Sequence, residues 1–535
     1  MSQSLPYRCR GGHIVSVSLT IDDVRVDVAD GSSVLDAARI AGIDIPTLCT
    51  LQGKAPHPSC FLCMVRINGG PRLVPACGTM AQNGMCVESE TEDVISVRKT
   101  AIELLLSDHL GDCIGPCQEV CPAHLDTPKM LRQIAARQYR DALMTVKETI
   151  PLPAVLGRIC PELCEKGCRR SADDGPVAIC KLKRFVADED LNSQAPYIPA
   201  MAAESGKRVA VVGAGPAGLS AAYYLLVQGH HCTVFDDHEE PGGMMRVAIP
   251  ESQLPRDVLD AEIDLIRRMG MEFQGSRRVG DSVSIEQLRS DFDAVILAIG
   301  DVSVCGLPST ELAVSGKALS VDKKSMQTNL PGVFAAGSAV APSHFAVRAV
   351  ADGRQAAASV NRYLSGVSPT RTDREFSVHI GKLTQIELQP FMSGASLELR
   401  AAPSSGDGFT EEEAVAEASR CLHCECGKAD TCALRAVALR LNANPLQYRE
   451  DRRTFSADRS NPYVWFEPGK CIACGICVRI AAERNESLGM SYQGRGYGVR
   501  MNVPFHQSVA EGLTIAAREC AEACPTGALI LRTEP

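Results

Sequence analysis

Cysteine constrains this chain more than any other residue. Its 535 residues include 24 cysteines, and they are bunched: long stretches have almost none, while short ones have three or four. The N-terminus, MSQSLPYRCRGG, shows no apolar secretory stretch, so the expected compartment is the cytoplasm. Disulfides are reduced there, and bunched thiols read as metal ligands. The net charge of −9 and the absence of a basic stripe argue against nucleic acid as a partner. The longest apolar runs, such as 221–227 and 294–299, are far short of a membrane span.

The length calls for several domains, and the patterning predicts a multidomain chain of α+β and α/β parts. Residues 14–45 alternate apolar and polar, from Val15, Val17, Leu19 and Ile21 to Val24, Val26 and Val28, with Asp22-Asp23 as a hairpin turn. A short helix follows, capped at Ser32 or Ser33, with Val34, Leu35 and Ala38 on one face. This suggests a β-grasp domain over 1–98. Helical patterns flanked by cysteine triplets occupy 99–200, and an α/β pattern runs over 201–370. A connector with a cysteine segment covers 371–455, and a final cysteine-rich domain covers 456–535.

In the first domain, Cys49, Cys60, Cys63 and Cys77 are spaced C-x10-C-x2-C-x13-C. Thiolates at i and i+3 reach one iron, and the two distant cysteines complete a cage. Buried structural cysteines or zinc are the plainer alternatives, but zinc ribbons show two C-x2-C pairs. The pattern closely resembles the [2Fe–2S] domain that opens the large iron–sulfur subunit of complex I and of NAD-linked hydrogenases and formate dehydrogenases. That resemblance covers about the first hundred residues. Cys9 and Cys86 fall outside it.

The second field places His109, Cys113, Cys117 and Cys121 four apart, then Cys160, Cys164 and Cys168 at the same spacing, then Cys180. Eight candidate ligands suffice for two [4Fe–4S] clusters. The segment resembles the helical N-terminal domain of the glutamate synthase small subunit and its counterpart in dihydropyrimidine dehydrogenase. The resemblance implies interleaved triplets: Cys113, Cys117 and Cys168 on one cluster, and Cys121, Cys160 and Cys164 on the other. It also implies a Glu or Gln ligand where this chain has Lys183, so Cys180, one turn earlier, is the substitute. His109 stands where the family has cysteine, and is either a ligand or structural.

Residues 209–218 read VAVVGAGPAG, a buried strand followed by Gly213-x-Gly215-Pro216-Ala217-Gly218 at a helix start, with Asp236 ending the next strand. Such a loop admits a pyrophosphate at a helix N-terminus, and the acid reaches an adenosine ribose. Two later segments resemble the flavin site of the glutamate synthase small-subunit family: PGGMMRVAIPESQLP, with Gly243 and Arg246, and NLPGVFAAGS, with Gly337 and Ser338 in place of the family's Gly-Asp. This resemblance implies FAD. It also implies a second Rossmann domain for a nicotinamide, between a strand like that ending at Gly300 and one like that at Leu330. Here 30 residues separate the two, without a second glycine fingerprint, so that domain is expected to be missing.

Near the C-terminus, Cys421, Cys424, Cys426 and Cys432 suit one cubane, with zinc as the rival reading. Cys471, Cys474, Cys477 and Cys524 resemble a two-cluster ferredoxin that has lost one site, leaving Cys520 over. The expected inventory is FAD, one [2Fe–2S] and four [4Fe–4S] clusters. The expected function is an electron-transfer subunit of a multi-subunit oxidoreductase. Its partners would be an NAD- and FMN-binding subunit, a hydrogenase or formate dehydrogenase-like catalytic subunit, or a ferredoxin. The alternative is a self-contained flavin oxidoreductase acting on a small molecule.

Overall fold

The computed structural model describes residues 16–51, 53–302, 311–369, 376–404 and 408–532; Cys9, Val15 and Cys305 lie outside them. The chain forms two compact units, and they are nested in sequence. One comprises 1–113, 375–390 and 425–535; the other comprises 114–374 and 391–424. The linear division into five domains contains no such nesting. Boundaries fall inside its 99–200 and 371–455 segments because packing between distant stretches leaves no local period in the sequence.

In the first unit, strands Ser16–Ile21 and Val24–Ala29 pair antiparallel around Asp22 and Asp23. Both aspartates have positive φ, 43° and 66°, as a tight hairpin requires. The sheet continues through Cys86–Glu88, Met64–Ile67 and Leu73–Pro75. Helix Val34–Ile40 starts at Ser33, whose hydroxyl accepts from Asp36 N–H at 3.1 Å, while Asp36 accepts from Ser33 N–H in return. Such a box is worth about 1 kcal/mol, and each of the buried Val34 and Leu35 side chains adds about 1.5–3 kcal/mol. The rest of the unit packs helices Glu92–Ser107, Ala433–Arg440, Ile476–Glu483 and Ala517–Ala523 with the strand pair Val464–Phe466 and Leu529–Leu531.

The second unit opens with short helices, among them Pro116–Val120, Pro153–Ile159, Leu163–Lys166 and Ile179–Leu191. A parallel five-stranded sheet follows, in spatial order Val333–Ala335, Ala294–Leu297, Arg208–Val212, His231–Phe235, Glu272–Gln274. The order reverses beside Arg208–Val212, which opens a crevice at that strand's C-terminal end. Val333–Ala335 pairs directly beside Ala294–Leu297, with Val333 opposite Val295. Among the described residues between them lies only a small hairpin, Val314–Ser315 with Ala318–Leu319.

A buried carboxylate ties the helical part to the sheet part. Glu262, on helix Arg256–Arg268, accepts from Ala154 and Val155 N–H at 2.9 Å each, at the start of Pro153–Ile159. Burial outweighs these two bonds and pushes its carboxyl up to about 7. A raised acid stabilises the fold fully below its unfolded value of about 4.3, and that contribution is lost as pH rises through its folded value. The fold is therefore expected to lose up to about 3 kcal/mol between roughly pH 5 and 7. Glu262→Gln removes that slope, as thermal melts of the full chain across this range would show.

Candidate functional site

The 22 cysteines of the described residues are all free. Cys49, Cys60, Cys63 and Cys77 are at most 4% exposed and touch one another. Cys49 Sγ lies 3.4 Å from Cys60 Sγ, and Cys77 hydrogen-bonds both Cys49 and Cys63. This mutual sharing pulls the Cys49 thiol well below its ordinary range and Cys63 down to about 7, while Cys60 and Cys77 are driven up. Four buried sulfurs in mutual contact have the donor chemistry of a metal cage.

Arg479 joins this loop to the next site. Its guanidinium donates to the Cys49 carbonyl at 2.7 Å and to that of Ala55 at 3.2 Å. Arg479 lies two residues after Cys477, which lines one cavity with Cys471, Cys474, Cys524 and Cys520. Burial pushes Cys471 up to about 11 and Cys474 up to about 12, and the neighbouring thiols add to it. Cys49 is one of the thiols that bear on Cys474. Ala473 and Gly475 have positive φ, 53° and 71°, which coils the C-x2-C-x2-C loop around the cavity. Cys520, left over in the sequence reading, lies in this cavity with its thiol 3.7 Å from the Cys477 carbonyl.

The third constellation departs from the sequence grouping. Cys113 does not share a unit with Cys117 and Cys168, nor do Cys426 and Cys432 with Cys421 and Cys424. Cys113, Cys426 and Cys432 are instead neighbours. The Cys426 N–H donates to the Cys113 carbonyl at 3.3 Å. Cys432 is pushed up to about 11 by burial first and then by Cys426 and Cys113. The turn after Cys524 backs onto them: a Cβ at Gly527 would lie 2.2 Å from Cys426 Sγ. His109 is half-buried beside Lys470, and desolvation of its ring lowers its imidazole to about 3. Its Nδ1 is buried without a hydrogen-bond partner among the described residues. Lys470 is the common neighbour of His109, Cys113 and Cys426, and its stem lies against Gly111, where a Cβ would clash at 2.4 Å. An orphaned imidazole that shares the neighbour Lys470 with the buried Cys113 and Cys426, with Cys432 beside them, fits a metal site of one histidine and three cysteines.

The second unit holds the other eight cysteines of the candidate ligand sets. Gly157 lets helices Pro153–Ile159 and Ile179–Leu191 meet, since a Cβ there would lie 2.6 Å from Arg184 Cβ. That contact sets Cys160 against Cys180, and Cys180 also hydrogen-bonds Cys164. The bond with Cys160 lowers the Cys180 thiol, but the one with Cys164 and burial outweigh it, to about 12. Cys121 belongs to the same ring of sulfurs around Lys183. Cys117, Cys168 and Cys421 sit in the same apolar cluster as that ring. Arg170 donates to the Arg420 carbonyl at 2.6 Å, which fixes the chain beside Cys421 to the chain beside Cys168. Arg420 itself is held by Glu417 at 2.8 Å, both buried. Cys424 follows Cys421 by three residues.

The glycine loop forms the dinucleotide cradle. Gly213 has φ 106°, and a Cβ there would lie 2.3 Å from the Ala298 carbonyl oxygen. A Cβ on Gly218 would lie 1.8 Å from the Gly213 oxygen. Gly215 caps helix Pro216–Val227, and a Cβ there would meet nothing within 4 Å, so the space above it is open for a pyrophosphate. Gly243 approaches from the other side, its Cβ position 2.7 Å from Gly215 Cα, and Gly337 approaches Ala217 at 2.8 Å by the same measure. Asp236 lies beside the loop with one oxygen accepting from Ala214 N–H at 2.6 Å and the other from His238 N–H at 2.9 Å. Arg246 is turned away, paired with Glu240 and Asp260 and bonded to the Pro241 carbonyl. The Ser338 hydroxyl donates to Ser343 O at 3.1 Å.

These sites define a multidomain iron–sulfur protein with a dinucleotide-binding domain. Family models match residues 15–92 as a 2Fe-2S iron-sulfur cluster binding domain, 111–195 as dihydropyrimidine dehydrogenase domain II, 4Fe-4S cluster, and 211–260 as an NAD(P)-binding Rossmann-like domain. The chain is 41% identical over 207 residues to the NADP(+)-dependent formate dehydrogenase subunit beta of Moorella thermoacetica, covering 35% of this chain and 29% of that one. It is 40% identical over 200 residues to the NAD-dependent dihydropyrimidine dehydrogenase subunit PreT of Escherichia coli strain K12, covering 37% and 48%. To the glutamate synthase [NADPH] small chain of the same strain it is 35% identical over 199 residues, covering 36% and 42%. The chain thus spans about half or less of the length of these relatives. No helix among the described residues is long and apolar enough to cross a membrane.

Proposed function

We propose that this chain is an electron-transfer subunit of a multi-subunit oxidoreductase, holding one [2Fe–2S] cluster, four [4Fe–4S] clusters and FAD. The [2Fe–2S] cluster belongs to Cys49, Cys60, Cys63 and Cys77. The [4Fe–4S] ligand sets are Cys471, Cys474, Cys477 and Cys524; His109, Cys113, Cys426 and Cys432; Cys117, Cys168, Cys421 and Cys424; and Cys121, Cys160, Cys164 and Cys180. Bound there, clusters supply one-electron exchange, and a flavin exchanges one or two electrons.

The observation that carries this reading is succession. Within the first unit, Arg479 ties the Cys49 loop to the Cys471 set, and the turn from Cys524 to Gly527 has a ligand at one end and abuts Cys426 at the other. Within the second unit, Cys117 and Cys121 are one turn apart, as are Cys164 and Cys168, so two short helical segments serve two ligand sets. Arg354, on helix Ala346–Leu364, donates to the Ala123 carbonyl at 3.1 Å, and that helix crosses the dinucleotide helix at Gly353. Whatever the arrangement of the two units, Cys113 and Cys117 are four residues apart in the chain, at most about 14 Å between α-carbons. Cys424 and Cys426 are two apart.

The partners fitting this reading are an NAD- and FMN-binding subunit and a hydrogenase or formate dehydrogenase-like catalytic subunit, with a ferredoxin as a further donor or acceptor. The test is reduction of the reconstituted chain alone. A low-potential one-electron donor is expected to reduce clusters and flavin, while NADH and NADPH leave the flavin absorbance unchanged. Rapid bleaching by either nicotinamide would favour a self-contained flavin oxidoreductase.

A further inference from the structure

Lys183 has an environment that a lysine rarely tolerates. It lies on helix Ile179–Leu191, one turn after Cys180, and is 3% exposed. Its Nζ is 3.9 Å from Cys180 Sγ, and among the described residues that thiol is its hydrogen-bonding partner, with no carboxylate in ion-pair contact. The groups whose charge bears on it are Cys180, Cys160, Cys164 and Cys121. Lys470, the other lysine buried among thiols, differs in having Glu467 as a counter-ion.

An ammonium buried without a counter-ion is strongly unfavourable, and neutral thiols do little to offset it. A cluster held by four thiolates has a net negative charge, and it is the anion this lysine lacks. We propose that Lys183 is the counter-charge of the [4Fe–4S] cluster on Cys121, Cys160, Cys164 and Cys180, and that it holds that cluster's reduction potential up. Reduction adds one electron and no bond changes. The reduced cluster is one charge more negative, so a fixed ammonium beside it stabilises the reduced state more than the oxidised state. Lys183 is a positioning residue in this sense: it touches a ligand and acts through the field at the cluster. Its placement decides whether this cluster, whose Cys121 adjoins the Ala123 carbonyl held by Arg354, can draw an electron from the dinucleotide side.

This inference rests on the ligand assignment above, and the experiment separates the two. Full-length chain is reconstituted with iron and sulfide, and each [4Fe–4S] signal is titrated by electron paramagnetic resonance at set potentials. Cys180→Ser is expected to lose about four iron atoms with one signal; no loss overturns the ligand set itself. Lys183→Met is expected to keep the iron and shift that one signal alone. Its reduction equilibrium falls at least tenfold, about 59 mV downward for a one-electron couple. Lys183→Arg restores it. Where Lys183→Met fails to assemble the cluster, Lys183→Gln removes the same charge with a polar head. A neutral variant that assembles the cluster with an equilibrium within twofold of the unsubstituted chain overturns the counter-charge.

Discussion

Cys113→Ser and Cys426→Ser are expected to abolish the same cluster, each losing about four iron atoms and one [4Fe–4S] signal. Cys117→Ser and Cys421→Ser are expected to abolish a different one. The reason is the nesting of the chain. Cys113 ends the first stretch of one unit and Cys426 lies just inside its last stretch, while Cys117 and Cys421 lie in the other unit. Two cysteines 313 positions apart are therefore expected to serve one site, and cysteines four positions apart to serve two. His109→Ala is expected to perturb the Cys113 and Cys426 signal alone, because its Nδ1 has no hydrogen-bond partner among the described residues. Matched losses for Cys113→Ser and Cys117→Ser, with a separate loss for Cys426→Ser, would restore the grouping by sequence proximity. Iron analysis with electron paramagnetic resonance on the four serine variants decides between them.

Gly215→Val is expected to cost the chain its flavin, with affinity falling at least about a hundredfold, while iron content and fold are retained. Most glycines of the loop cannot make this point. A side chain at Gly213 or Gly218 would collide with protein backbone, at 2.3 and 1.8 Å, and the fold would share in the damage. A Cβ at Gly215 meets no protein atom within 4 Å. That Cβ stands in open space at the helix N-terminus, where a pyrophosphate has to approach the backbone closely. Bound flavin, released by denaturation and measured by fluorescence, gives the result. Full flavin occupancy in Gly215→Val would place the cofactor elsewhere.

The local signals in the sequence were strong. The Asp22-Asp23 hairpin, the Ser33-capped helix and the strand–glycine–helix turn at Gly213 each declare themselves within a dozen residues, and each forms. The thiol spacing also marked which cysteines have neighbours of their own kind. What the sequence hid was which thiols share a neighbourhood. Spacing favours adjacent cysteines, so Cys421 and Cys424 read together with Cys426 and Cys432. The contact of Cys426 with Cys113 is made by tertiary packing, through Gly527 and Lys470, and has no periodicity to reveal it. The ammonium beside Cys180 was visible only as a lysine standing where a ligand was expected. Arg246 shows the opposite case. A flavin-lining motif suggested a cofactor contact, but Glu240, Asp260 and the Pro241 carbonyl occupy its guanidinium.

The most direct test is the metal and flavin content of the full-length chain, reconstituted anaerobically and desalted. The expected content is about 18 iron atoms per chain, two from the Cys49 set and four from each of the other four sets, with matching acid-labile sulfide, one FAD and no zinc. Zinc in place of iron, or iron near 10 with two sets empty, would contradict it.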